Sequence, residues 1–117
     1  MKSNTPYNHQ IFVCTNERKQ GGRTCCGERN GLLLVGAFKK LLKDKKLNSE
    51  VRAQRAGCFD FCEYGPIVVI YPEGIVYGKV EAGDVEEIVN QHIVKGNVVK
   101  KLLVDFSIPA EIWQKSP

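Results

Sequence analysis

A chain of 117 residues with 43% hydrophobic and 26% charged residues has the mix of a soluble globular protein and the length of one domain with a modest core. No apolar run approaches the roughly 20 residues of a membrane span, so membrane protein, collagen, coiled coil and repeat array are excluded. The formal charge of +4 hides two unequal halves: residues 1–57 carry 12 Lys and Arg against 4 Asp and Glu, and residues 58–117 carry 5 against 9. The basic half has no aromatic interleaving and no reader motif, so neither nucleic acid nor membrane is an expected partner. Lys39, Lys40, Lys43, Lys45 and Lys46 read instead as the solvated face of a helix. No export signal is visible at the start, and the expected location is cytoplasmic. Five cysteines in a reduced compartment point to metal or redox chemistry rather than staples.

Ile11, Phe12 and Val13 open the fold as a short buried strand that ends at Cys14. Thr15 to Asn30 is polar and turn-rich, with Gly21, Gly22 and Gly27, a loop long enough to suggest function. A helix is expected over Gly31 to Leu47, its apolar stripe running through Leu34, Val35, Phe38, Leu41 and Leu42. Val51 to Ala56 alternates apolar and polar, the mark of a half-buried strand. A second loop, Gly57 to Pro66, carries two cysteines.

Ile67 to Tyr71 and Ile75 to Val80 predict a hairpin across Tyr71-Pro72-Glu73-Gly74, with proline at the second turn position and glycine where φ is positive. A second helix begins at Asp84, with Glu86 and Glu87 favourable at its N-terminal dipole. Val85, Ile88, Val89, His92 and Ile93 form its buried stripe and Gly96 stops it. The order is βαβ followed by ββα, with the first unit right-handed and parallel. That is an α/β, thioredoxin-like sandwich of about four mixed strands and two helices. Val98 to Val104 and the tail through Ile108, Ile112 and Trp113 show no period and are expected to cover a flank of the core or to form an interface. One domain is expected over 1–117, with a core at 9–104 and a tail at 105–117.

In a βαβ unit, the loops after the first two strands leave the same edge of the sheet. Cys14, the Cys25–Cys26 pair, Cys58 and Cys62 should therefore converge, and four thiolates are enough for a 2Fe–2S cluster or one Zn²⁺. A thioredoxin-type dithiol needs C-x-x-C, which is absent. Cys58 and Cys62 suit a zinc site by spacing, whereas Cys14 and Cys26 stand 12 positions apart. The ordered cysteine runs of plant-type and bacterial ferredoxins are absent too. Spacing leaves iron–sulfur, zinc and thiol chemistry open.

The strings I-F-V-C-T-N-E-R, C-C-G-E-R-N-G and G-C-F-D-F-C-E-Y-G-P-I-V-V-I-Y-P-E-G-I-V-Y-G-K-V resemble the thioredoxin-like 2Fe–2S ferredoxins, whose relatives include the small iron–sulfur subunits of NADH dehydrogenases and some hydrogenases. The similarity runs from about His9 to Val104. It implies one 2Fe–2S cluster, one-electron transfer between redox partner proteins, no catalysis of its own, and a homodimer. By position the implied ligands are Cys14, Cys26, Cys58 and Cys62. Cys25 departs from the pattern, standing where relatives place a small residue before the ligand. Two other readings are an iron–sulfur subunit of a larger oxidoreductase and a structural zinc module. Arg18, Arg23, Arg29 and Arg55 lie near the ligands in sequence and would offset cluster charge or simply face water, whereas Asp60 and Glu63, beside Cys62, would push the potential down or face water. His9 reads as a surface residue and His92 as a hydrogen-bonded core histidine. Gly65-Pro66 stands where this fold often has a cis proline. With neither G-x-G-x-x-G nor a phosphate loop, no nucleotide site is expected.

Overall fold

The computed structural model describes residues 6–15, 31–57 and 64–115. Strand β1 (His9–Cys14) is followed by helix α1 (Gly31–Asp44), strand β2 (Val51–Ala56) and the hairpin strands β3 (Val68–Tyr71) and β4 (Ile75–Tyr77). Helix α2 (Ala82–Glu87) continues as a π-helical segment, Ile88–Val94, and a single 3₁₀ turn covers Lys100–Leu102. The sheet has the order β2-β1-β3-β4, with β1 and β2 parallel and the remaining pairs antiparallel. The expected α/β arrangement of four mixed strands and two helices is the one observed.

Alternation along each strand divides the core between the two faces of the sheet. Ile11, Val13, Val51, Ala53, Val68 and Ile70 meet Leu34, Val35, Phe38 and Leu42 of α1 and Val85, Ile88 and Val89 on the α2 side. Both helices therefore lie on one face. On the other face Cys14 and Val69 pack with Ile67, Val104 and Trp113. The tail whose sequence had no period thus supplies a cover for the second face. It buries Trp113 to 5% exposure, and Lys115 reaches the start of α2 to pair with Asp84 at 3.0 Å.

Several local expectations change. Helix α2 begins at Ala82 rather than Asp84, because Glu81 is its N-cap and the Asp84 carboxylate accepts the Glu81 N–H at 2.9 Å in a capping box. Helix α1 stops at Asp44, not Leu47, because Lys46 turns left-handed at φ 59°. The N–H of Lys46 then donates to the Lys43 carbonyl at 3.0 Å and that of Leu47 to the Leu42 carbonyl at 2.8 Å, the paired bonds of a Schellman stop. Strand β4 ends at Tyr77 rather than Val80, because the next three N–H groups bond outside the hairpin, to the carbonyls of Leu102, Tyr64 and Pro66. The hairpin turn is one residue wider than expected. Gly74, at φ 72°, donates its N–H to the Ile70 carbonyl at 2.8 Å, and the Tyr71–Pro72 bond is cis. Gly65–Pro66 is cis as well. Gly96 does end the second helical stretch, at φ 76°.

Candidate metal centre

Cys14 is the last residue of β1 and is buried to 1% exposure. Its thiol shares the second sheet face with Val69 and Trp113. Two backbone connections tie this end of β1 to both ends of the second cysteine loop. On one side, Thr15 donates its N–H to the Ala56 carbonyl at 3.1 Å, two residues before Cys58. On the other, Cys14 donates its own N–H to the Ile67 carbonyl at 3.2 Å, five residues after Cys62. The chain therefore leaves on one flank of Cys14 and returns on the other. Cys25, Cys26, Cys58 and Cys62, with Arg18, Arg23, Arg29, Asp60 and Glu63, lie outside the described residues. Arg55 is described; it is exposed and stands opposite Val13 in the parallel register.

The wall behind Cys14 is aromatic. Tyr64 packs edge-on against Trp113 with ring centroids 6.1 Å apart, and against Phe106 at 5.2 Å. The Tyr64 hydroxyl donates to the Ile108 carbonyl at 2.6 Å, and the Lys79 ammonium donates to the Trp113 carbonyl and lies over its ring. Trp113 belongs to the same packed cluster as Cys14, and Tyr64 packs against that cluster. Sequence reasoning left Tyr64, Lys79 and Trp113 without roles at the site. The only available signal was that Trp113 is the sole tryptophan, in a tail too apolar for a solvated end.

Lys39, Lys40 and Lys43 of α1 are exposed, as expected; Lys45 and Lys46 are exposed too but follow the end of the helix. Lys39 and Lys43 line a cleft of about 270 Å³ with Arg52, Asn48 and the apolar Leu42, Val51 and Ala53. It sits at the start of β2, whereas the cysteine loops follow the ends of β1 and β2. Among the described residues, this positive cleft therefore lies at the sheet edge opposite Cys14. His92 is the buried, hydrogen-bonded core histidine expected. His9 differs from expectation. It is only 18% exposed and its Nε2 meets Glu73 at 3.1 Å, because the wide β3–β4 turn brings that carboxylate over the start of β1.

A 2Fe–2S ferredoxin of Clostridium pasteurianum is 48% identical over 97 residues, covering 82% of this chain and 95% of its own. The chain belongs to the thioredoxin-like 2Fe–2S ferredoxins. A 2Fe–2S ferredoxin of Aquifex aeolicus (strain VF5) is 35% identical over 101 residues, covering 85% of this chain and 91% of its own. The crystal structure of the thioredoxin-like 2Fe–2S ferredoxin from Aquifex aeolicus superposes with a TM-score of 0.79 at 33% identity, covering 85% of this chain and 98% of that one. No protein-family model matches the chain. Ferredoxins are electron-transfer proteins rather than enzymes. Among the described residues no helix is long and apolar enough to cross a membrane.

Proposed function

We propose that this ferredoxin is a cytoplasmic, single-domain one-electron carrier whose 2Fe–2S cluster is held by Cys14, Cys26, Cys58 and Cys62 and which serves separate redox enzymes. The observation that carries the reading is the position of Cys14. It is a buried thiol, pinned by backbone bonds between the entry and the exit of the segment that holds Cys58 and Cys62. Such a thiol has nothing to do in a folding core beyond filling space. In a cluster site it supplies a ligand already fixed in direction. The cluster supplies reversible one-electron exchange. Trp113, Val69 and Val104 shield the Cys14 side from water, and the Cys14 N–H is already spent on Ile67.

A homodimer belongs to the same reading. Leu103, Phe106 and Ile112 keep 39%, 48% and 66% of their surface exposed along the C-terminal segment, an apolar surface that a second copy would cover. Trp113 and Ile108, which the sequence offered for that surface, turn inward instead. Sedimentation of the holoprotein as a monomer at micromolar concentration would remove the dimer.

Protein purified without air should be red-brown and hold about two iron and two sulfide per chain, with a single unpaired spin on reduction. A colourless protein with zinc and no iron would overturn the reading in favour of a structural zinc module. Cys26→Ser should destabilise the cluster sharply, whereas Cys25→Ser should leave its content and spectrum nearly unchanged. The opposite pattern would move the ligand by one residue.

A further inference from the structure

A second group of metal-ligating side chains lies at the other end of β1. His9 opens the strand, Glu73 sits in the β3–β4 turn, and His92 lies on the π-helical segment Ile88–Val94. One donor atom of each lies within 4.8 Å of those of the other two. The Glu73 Oε2 is 3.1 Å from His9 Nε2 and 3.5 Å from His92 Nε2. A tetrahedral ion with bonds of about 2.0–2.1 Å keeps its ligand atoms roughly 3.4 Å apart. The two spacings to Glu73 straddle that value, and the two imidazole nitrogens lie within 4.8 Å of each other. Two imidazoles and one carboxylate suit zinc and its neighbours in the first transition row.

Three features make this more than a surface ion pair. First, the groups come from three separate elements, so an ion there would clamp β1, the hairpin turn and the α2 extension together. Second, His92 is 1% exposed and held from behind. Its Nδ1 meets the Tyr77 hydroxyl at 2.6 Å, and that hydroxyl oxygen accepts the Val99 N–H at 3.0 Å. Metal-bound histidines commonly have their second nitrogen fixed in this way, leaving Nε2 to face the ion. Burial, opposed by Glu73, lowers the proton affinity of His92 and keeps it the neutral ring that a ligand must be. Third, His92 stands in a π-helical stretch, a rare conformation that is frequent at functional sites.

We propose that His9, Glu73 and His92 bind one divalent transition ion of the zinc class, with water completing its shell, independently of the four-cysteine centre. The proton inventory closes without loss from the His92 ring. In the ion-free network the Tyr77 O–H donates to Nδ1 and the Nε2–H faces Glu73. Binding takes the other tautomer, with Nε2 on the ion and Nδ1–H donated to the Tyr77 oxygen, which already accepts from Val99 and has a second lone pair. The phenol proton must then turn away from the ring, so affinity in the micromolar range is expected rather than that of a closed structural site. His9 and Cys14 are the first and last residues of β1, about 17 Å apart at the usual strand rise, so an ion should leave the cluster unchanged.

The test is calorimetric titration of the oxidised holoprotein with Zn²⁺, in a Cys25→Ser background that removes the thiol not assigned as a ligand. One ion per chain should bind, with the visible cluster spectrum constant throughout. In His9→Ala and in Glu73→Gln the dissociation constant should rise by about tenfold or more. Long-range proton–nitrogen spectra should show His92 exchanging its Nε2 proton for one on Nδ1. Absence of binding at micromolar Zn²⁺ would overturn the proposal. So would uptake with equal affinity in both variants, with or without loss of cluster absorption.

Discussion

Gly78→Ala tests whether the wall behind Cys14 is packed as tightly as the geometry states. A Cβ built on Gly78 would stand 2.6 Å from Val104 Cγ2, 2.8 Å from the Tyr64 carbonyl oxygen and 3.1 Å from Trp113 Cζ3. The first two lie well inside van der Waals contact. Val104 can turn its side chain, but its backbone is held by the bond from its N–H to the Val76 carbonyl at 3.2 Å. The Tyr64 oxygen has less room, because it already accepts the Lys79 N–H at 2.8 Å. Overpacking of a filled core costs about 1–3 kcal/mol, and the backbone oxygen among the contacts puts this site in the upper part of that range. At about 3–5 °C per kcal/mol for a chain of this size, the unfolding temperature should fall by roughly 6–15 °C.

The displacement also has a direction. Tyr64 is the first described residue after the segment with Cys58 and Cys62, and Trp113 shares a cluster with Cys14. Pushing either one should disturb the packing around Cys14 before it disturbs the helix face of the sheet. Thermal bleaching of the cluster absorption, at a fixed scan rate because such unfolding is not simply reversible, reads both effects. Gly36→Ala is the matched control, since a Cβ there meets nothing within 4 Å in the middle of α1. It should stabilise by up to about 1 kcal/mol. If Gly78→Ala bleaches at the wild-type temperature, the wall is not close-packed and the reasoning fails.

Tyr77→Phe strips the buried Val99 N–H and His92 Nδ1 of their partner, so a loss of about 1–3 kcal/mol is expected in the denaturant midpoint, and an unchanged midpoint would refute the network. Lys46→Gly relieves a left-handed lysine at the stop of α1 and should stabilise by about 1 kcal/mol; a loss of stability would show that the lysine stem packs there. Acid should destabilise the fold in two stages. Burial, opposed by Glu73, lowers the His92 pKa below its ordinary 6.5, so this contribution is complete above pH 6.5 and is lost as pH falls toward the folded value. Burial alone would raise Glu73, but its own backbone N–H and His9 outweigh it and hold the pKa below 4.5, so a second loss follows under that pH. A denaturant midpoint that stays flat from neutral pH to about pH 5 would remove the His92 part.

Most of the sheet and both helices were legible because their burial repeats. Val51 to Ala56 alternates, the α1 stripe returns every three or four residues, and both periods survive in the structure. The errors fall where burial has no period. Leu47 keeps the helical register of α1 yet packs on the core from beyond a Schellman stop, and that stop carries lysine instead of the glycine that would have marked it. Val99 and Leu102 bracket a single 3₁₀ turn, and Val104 and Trp113 lie in irregular chain beyond it, so no window of sequence reveals them. His9 looked like a surface residue because its partner Glu73 is 64 positions away, in a turn that reads as solvent-facing.

Of the candidate site, Cys14 and the exit of the second cysteine loop fall among the described residues, and there the structure gives a physical meaning to the longest string that marked the site. In Y-G-P-I, followed by Y-G-K-V, the carbonyls of Tyr64, Pro66 and Ile67 accept from the N–H groups of Lys79, Val80 and Cys14 at 2.8, 3.1 and 3.2 Å. The exit of the second cysteine loop is thus bound to two neighbours at once, the end of β1 and the chain leaving β4. These bonds come from the backbone, so they restrict side chains only where space or conformation runs out. Gly78 is such a point, having no room for a methyl, and Lys79 is another, at φ 49°. The glycine after Tyr77 and the cysteine that ends β1 therefore belong to one constraint. A thiol can be held in a fixed direction only if the segment crossing behind it is also fixed, and that segment can come close enough only where a side chain is missing.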